Sequence, residues 1–431
     1  MVSKIILGLG LFATLFAVLI FSGYVSTGNT VSTPQGEVLM WGTLPEEKMN
    51  NFISKFNIEA KTYKVFYTEV SESVFDQKLL EALASGTGPD LILTPYQITL
   101  AQTSRIAPYQ ISEKNFKDKF FDGSFLLYTQ FGAVALPVSI DPMVLFYNRT
   151  LLSKHGIANP PKDWNEVMSI VPDTTILNDK RQFIESGIAL GSSNTPYAKD
   201  ILMTIVAQLG QKPVIKTYNE IDNKMNYDVS ANRPIVEDGN VFPLSSALRL
   251  FTSFADPLSP LYSWSQSIGN AEDAFLAEKL AMYIGYYGDF SSLRARNPRA
   301  EIEMTNFPQT KGQYTNVTGM RMYTVATLSK TKNYPVSSYV QEQFSYGKNA
   351  DAIALIAKGM PAYKDYLKNT GLNPVATSSV LVARGWEDKY YKQSSGYVAT
   401  MISDILSGRQ GITESANMFV ARMRDLYSPI R

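Results

Sequence analysis

The chain has 431 residues, with 40 Lys and Arg against 39 Asp and Glu, a net charge of +1, no cysteine and one histidine. The length fits two domains of ordinary size, and the charge balance removes any global argument for nucleic acid or an anionic surface. The absence of cysteine excludes disulfides, thiolate metal sites and Cys nucleophiles, and a single histidine excludes multi-histidine metal sites. No cofactor is expected.

Residues 1–4 form a stub carrying Lys4, and Ile5 to Val25 follows as 21 almost wholly apolar residues, with no charge until Glu37. Such a run is long enough to span a bilayer, with Lys4 on the cytoplasmic side and the rest of the chain outside. It offers a poor cleavage site and no lipoprotein cysteine, which favours an uncleaved anchor over a cleaved signal. Residues 26–36 (STGNTVSTPQG) then read as a flexible tether.

Glu37 to Trp41 reads as a first strand closing at Gly42-Thr43. A helix follows from Pro45 through Phe56, with Met49, Phe52, Ile53 and Phe56 near helical spacing. Tyr63 to Val70 is a second strand, Ser73 to Ala84 a helix, residues 85–90 a tight turn and Leu91 to Leu93 a buried strand. This βαβαβ order implies a parallel sheet. Its ligand would sit off the carboxyl ends of the strands, which places Trp41 to Thr43 and Thr94 to Tyr96 on one rim.

Ala133 to Trp164 is the central stretch. A short strand stops at Pro137, Asp141-Pro142 breaks the chain, and a second strand runs from Met143 to Tyr147. Residues 138–143 read as a hinge between two lobes. Beyond it come a strand at Gly187 to Leu190, a loop through Pro196-Tyr197 and a helix from Lys199 to Leu209. Residues 211–245 are polar and irregular. A helix runs from Ala271 to Leu280, a strand from Ala281 to Ile284, and an aromatic turn covers Gly285 to Gly288. Met320 to Thr327 is a strand, followed by a helix through Phe344 and a largely helical C-terminal part.

Several motifs recur in a recognisable order. They are LLEALASGTGPDLIL at 79–93, LPVSIDPMVLFYNRTLL at 136–152, GIANPPKDW at 156–164, AFLAEKLAMYIG at 274–285, VATLSK at 325–330, KGMPA at 358–362 and LSGRQ at 406–410. Together they resemble family 1 extracellular solute-binding proteins, the group containing maltose- and oligosaccharide-binding proteins of ABC importers. The resemblance covers residues 36–430. It implies an α/β, two-lobe periplasmic-binding-protein-like fold (type II), each lobe a mostly parallel sheet flanked by helices. The first lobe would hold residues 37–140 and 323–360, the second 141–322 and 361–431. A small-molecule ligand, expected to be a neutral sugar or oligosaccharide, would lie between them. A monomeric receptor outside the membrane, handing its ligand to permease subunits, follows from the same resemblance.

The site is carried over onto matching positions. Trp41, Gly42 and Thr43 match the first-strand rim, and Tyr96 a contacting loop. Asp141 matches an acidic hinge residue, Tyr197 a stacking aromatic, and Tyr286, Tyr287 and Gly288 a loop supplying another aromatic. The sequence departs from the maltose-binding members at Gln97, Ile98 and Thr195, so maltose itself is not implied. Asp141 has a second reading as a turn cap, Trp41 one as core, and Trp264 one as packing. No Arg or Lys is among the candidates, so an anionic ligand would lack its usual bidentate partner. A polyamine or other small cation suits the same acid and rings. A carbohydrate-active enzyme using two carboxylates is the rival class, but no nucleophile or phosphate-loop motif supports catalysis.

Overall fold

The computed structural model describes residues 34–235, 241–312 and 316–428. The expected span Ile5–Val25 and the tether through residue 33 lie outside the described residues. Among the described residues no helix is long and apolar enough to cross a membrane.

The first lobe opens with β1 (Gly36–Gly42), α1 (Glu46–Glu59), β2 (Tyr63–Glu69), α2 (Phe75–Ser85) and β3 (Leu91–Pro95). Alternation along β1 buries Val38, Met40 and Gly42, and α1 buries Met49, Ile53 and Phe56 at helical spacing. Glu46 and Glu47 sit in its first turn, where the helix dipole favours acids. Gly86 ends α2 in the left-handed conformation that glycine tolerates best. β1 pairs in parallel with both β2 and β3, as the βαβαβ order requires.

The hinge stretch differs from expectation. Leu136 to Asn148 is one unbroken 13-residue strand, β4, buried along its whole length. Asp141-Pro142 does not interrupt it, because Pro142 falls where one neighbour has ended and another has not begun. On the edge of β4 opposite β10, Met360–Pro361 pairs with Ile140 and Ser139, and the next pairing starts at Met143. The Met143 N–H points the other way, to Gly319 O at 2.8 Å. The donor that proline lacks is therefore one that no partner awaits.

The second lobe contains β5 (Phe183–Ile188), α3 (Ala198–Gln208), β6 (Val214–Asn219), β7 (Lys224–Val229), α4 (Pro243–Ser253), β8 (Leu280–Tyr286) and β9 (Ile302–Asn306). The chain returns through β10 (Met320–Thr327) and α5 (Tyr334–Phe344), crosses at β11 (Met360–Pro361), and ends with α6 (Tyr391–Leu406) and α7 (Ile412–Tyr427). Residues 211–245 are not irregular throughout: β6 and β7 form an antiparallel hairpin, and α4 follows.

One ten-stranded sheet runs through both lobes, with its main path β2-β1-β3-β10-β4-β8-β5 continuing to the two-residue strand Ile176–Leu177. It is mixed rather than mostly parallel. Parallel pairing is confined to β1–β2, β1–β3 and β5–β8, while every pair made by β4 and β10 is antiparallel. A chain that crosses a hinge and returns must run antiparallel to its outward path, and this sets the sheet's centre.

One hydrophobic core fills the first lobe, and two fill the second. By core membership Ala362, Tyr363, Ala376, Val380 and Ala383 still belong to the first, and Val398 is the next residue of the second. Among the described residues, these side chains therefore pack with the first lobe, beyond the expected crossing at 361.

Candidate functional site

The two crossing strands meet at one charged pair. Arg321 on β10 and Asp141 on β4 are register partners. Alternation along β10 buries Met320 and Met322 on one face and leaves Arg321 and Tyr323 on the other. Arg321 donates from Nε at 3.1 Å and from Nη2 at 2.5 Å to Asp141 Oδ2, and from Nη2 to Asp289 Oδ1 at 3.2 Å. Asp141 Oδ1 accepts from the Gly288 N–H at 2.9 Å. Burial pushes the Asp141 carboxyl up to about 6, against the lowering pull of Arg321 and the Gly288 N–H. The two adjacent carboxylates hold Arg321 above its ordinary value despite its own desolvation.

Aromatic rings surround this pair. The Arg321 guanidinium lies 4.2 Å from the Tyr286 ring centroid and 5.9 Å from that of Tyr197. The two rings meet edge to face at 4.8 Å. Tyr197 donates its hydroxyl to Asp289 Oδ2 at 3.3 Å, and Tyr286 donates its own to Asp200 Oδ2 at 2.7 Å. Tyr197 has φ 57, a left-handed conformation that costs a non-glycine residue about 1 kcal/mol or more. It caps α3 without a side-chain cap bond, so its conformation serves the placement of its ring.

Of the nine expected residues, Asp141, Tyr197, Tyr286 and Gly288 come together in this cluster. Thr43 joins it at one remove, donating from Oγ1 to the Tyr323 hydroxyl at 3.3 Å. Not every expected residue presents a free ring face or side chain to this cluster. Tyr286 is fully buried beneath Arg321, so its ring face is covered. Tyr96 is buried at the start of a short helix and lines a separate cavity of about 600 Å³ with Asp200, Met320 and Trp386, on the Met320 face of β10. Trp41 packs against the first core, and Tyr287 wedges between that core and one of the second lobe. Gly42 lies too close to Leu93 O and the Tyr67 ring to carry a side chain, and Gly288 is pressed against Lys358 O. Trp264 is wholly buried, as packing predicts.

Arg321 and Asp289 were not among the expected residues. Arg321 was legible as the only charge in the strand Met320–Thr327, and Asp289 as the acid directly after the aromatic turn. Arg321 thus brings a cation into the cluster, where none was expected. Acids still prevail, since Glu72 also lies within the field of Arg321 and Lys392. Across the cleft mouth Lys392 donates to Asp76 Oδ2 at 2.9 Å and to Ser73 O at 3.2 Å, tying the start of α6 to that of α2. Lys216 donates to Leu126 O at 2.8 Å and also binds Glu387, a second tie between lobes.

Two lobes on one sheet, with a cluster of carboxylates, arginine and tyrosines where the strands cross, define a ligand-binding protein of the hinged two-lobe class. A family profile described as Bacterial extracellular solute-binding protein matches residues 42–337, more than half of the chain, and the protein belongs to that family. Solved structures share the fold. The GacH receptor of Streptomyces glaucescens, solved unliganded and with acarbose, superposes with a TM-score of 0.67 at 18% identity, over 92% of this chain and 100% of that one. A cyclic α-maltosyl-1,6-maltose binding protein from Arthrobacter globiformis gives 0.69 at 15%, over 91% and 98%. The sugar-binding protein MalE from Xanthomonas citri gives 0.69 at 15%, over 91% and 97%. Comparison with curated protein sequences finds no match.

Proposed function

We propose that this protein is the receptor of an ABC importer and takes a neutral sugar or oligosaccharide between its lobes. The observation that carries this reading is the cluster at the crossing strands. Asp141 and Asp289 supply acceptors, Arg321 and Tyr197 supply donors, and the Tyr197 ring supplies an apolar face, the mixture that sugar hydroxyls and C–H faces require. The acarbose bound in one fold relative and the cyclic maltosyl-maltose for which another is named support it. The protein acts as a binder without turnover, as a monomer that delivers its ligand to permease subunits. Ile5–Val25 holds it to the membrane as an uncleaved span, with residues 37–431 outside.

One observation favours a second reading. Asp141, Asp289 and Glu72 outnumber Arg321, so a small cation such as a polyamine would also be drawn to the cleft. A thermal-shift screen of the protein against sugars, polyamines and amino acids separates the two. Ligand at 100 times its dissociation constant stabilises by about 2.7 kcal/mol. Shifts with polyamines alone would overturn the sugar reading, and products formed from an oligosaccharide would overturn the receptor reading.

A further inference from the structure

We infer that the base of the first lobe, the end carrying the N-termini of β1, β2 and β3, docks on an anionic phospholipid surface. Three bonds define this end. Gly36 N donates to Thr62 O at 3.1 Å, Thr62 Oγ1 to Pro34 O at 3.0 Å, and Asn333 Nδ2 to Glu37 O at 3.1 Å. They gather the root of β1, the turn after α1 and the turn after β10, which lie far apart in the sequence. Exposed lysines converge there: Lys55 and Lys61 around the end of α1, Lys64 on β2, and Lys330 and Lys332 after β10. None of the five makes an ion pair among the described residues. Of the acids at this end, Glu59 is bound by Lys348 at 2.6 Å, Glu37 stands opposite Lys64 in register, and Asp90 is buried and accepts from the Leu39 N–H and the Thr331 hydroxyl. The lysines are scattered in sequence and balanced over the whole chain; the fold concentrates them at one end.

Two apolar side chains share the surface. Ile58, between Lys55 and Lys61, is 83% exposed, and Tyr334, beside Lys332, is 40% exposed. A basic cluster that includes an exposed isoleucine and tyrosine fits the headgroup region of an anionic bilayer, where tyrosine partitions well. The attachment point selects this partner. Residues 26–33 connect Pro34 to the apolar run ending at Val25, and a link of that length reaches at most about 30 Å. Screening limits the attraction to about 8–10 Å, so a short link is what keeps these lysines within range. The cleft cluster lies at the opposite, C-terminal ends of β1 and β3 and stays open when the base is down. The inference rests on the membrane-anchored reading of Ile5–Val25.

The chain has no cysteine, so S329C gives a unique label beside Lys330, and S407C a control on the second lobe. Full-length protein is placed in lipid nanodiscs of phosphatidylcholine, with or without about 30 mol% phosphatidylglycerol, containing a headgroup quencher. Quenching of the S329C fluorophore should rise about twofold in the anionic discs, with S407C unchanged, and the rise should vanish at about 0.5 M salt. A K61E/K330E/K332E variant, checked for an unchanged melting temperature, should lose it too. Equal quenching in both discs, or a salt-independent rise, overturns the docking. Release of the chain from both discs by a high-salt wash overturns the anchor instead. Flotation with phosphatidylglycerol vesicles but not phosphatidylcholine vesicles would then still support the docking, and its absence would refute it.

Discussion

Arg321 and Asp141 face each other across the two strands that carry the chain out of and back into the first lobe. The charge pair therefore sits where the crossing strands join the two lobes, and it belongs to the crossing and to the site cluster at once. Its state should be readable both in stability and in binding.

Removing the arginine strands two carboxylates. Arg321→Met should cost about 2 kcal/mol, below the usual 3–5 for a broken buried pair because the Arg321 side chain is 38% exposed. Adding Asp141→Asn to that variant should restore part of the loss. Urea unfolding of the two single variants and the double variant gives the coupling. Additive losses would mean that the pair does not act as a unit.

The pair also sets a pH dependence. The Asp141 carboxyl is raised from 3.8 to about 6, with burial as the main cause. The folded state thus holds a proton between roughly pH 4 and 6 that the unfolded state has released, so this group's contribution to stability is greatest below that window and falls as pH rises through it. Asp141→Asn should flatten the trend between those limits. Where the carboxylate accepts a ligand hydroxyl, affinity should move the opposite way and strengthen as pH rises past about 6. Parallel stability profiles for wild type and variant would remove Asp141 as the titrating group.

Tyr197 separates folding from binding. Tyr197→Ala should weaken ligand binding by about 1–2 kcal/mol, roughly ten-fold. Tyr197→Gly should bind as poorly yet be more stable than Tyr197→Ala by about 1 kcal/mol, since φ 57 suits glycine. Calorimetry for binding and urea unfolding for stability check the two. Full affinity in either variant would exclude the ring from the site.

At the cleft mouth, Lys392→Ala removes the tie between α6 and α2. The pair is half-exposed, so the loss is small, at most about 1 kcal/mol, enough to move an open–closed equilibrium about five-fold. Small-angle scattering of the unliganded protein should show a larger radius of gyration for the variant, and a saturating ligand should bring both to the same value. Equal radii without ligand would show that this tie does not bias closure.

Much of the fold was legible because its first 60 described residues alternate cleanly between strand and helix periods. Val38, Met40, Ile53, Phe56 and Leu79 are buried as their spacing requires. The crossing stretch was legible, but its continuity was not, since a proline in a strand reads as a break unless the neighbours are known. The β6–β7 hairpin was hidden by its Lys, Asn and Asp content and by the lack of a clean alternation: Val214 is buried, Thr217 is exposed and the rest of β6 is half-buried. Within the site, position could be inferred and availability could not. Tyr96 stands just after β3 and Tyr286 at the end of β8, but sequence does not reveal that one turns toward another cavity and the other lies under Arg321. The partner of Asp141 was missed because it is 180 residues away and adjacent only through strand pairing.

The unbroken β4 strand has a mechanical side. Its first half is held by β10 and β11 and its second by β8 and β9, so a force separating the lobes along the strand loads these ladders in shear, many bonds at once. A loop at the same place would extend under a small pull, whereas this strand twists but does not lengthen. Single-molecule pulling between the lobes should therefore give one high-force rupture without a preceding compliant phase, as expected of a receptor whose lobes pivot on a stiff axle.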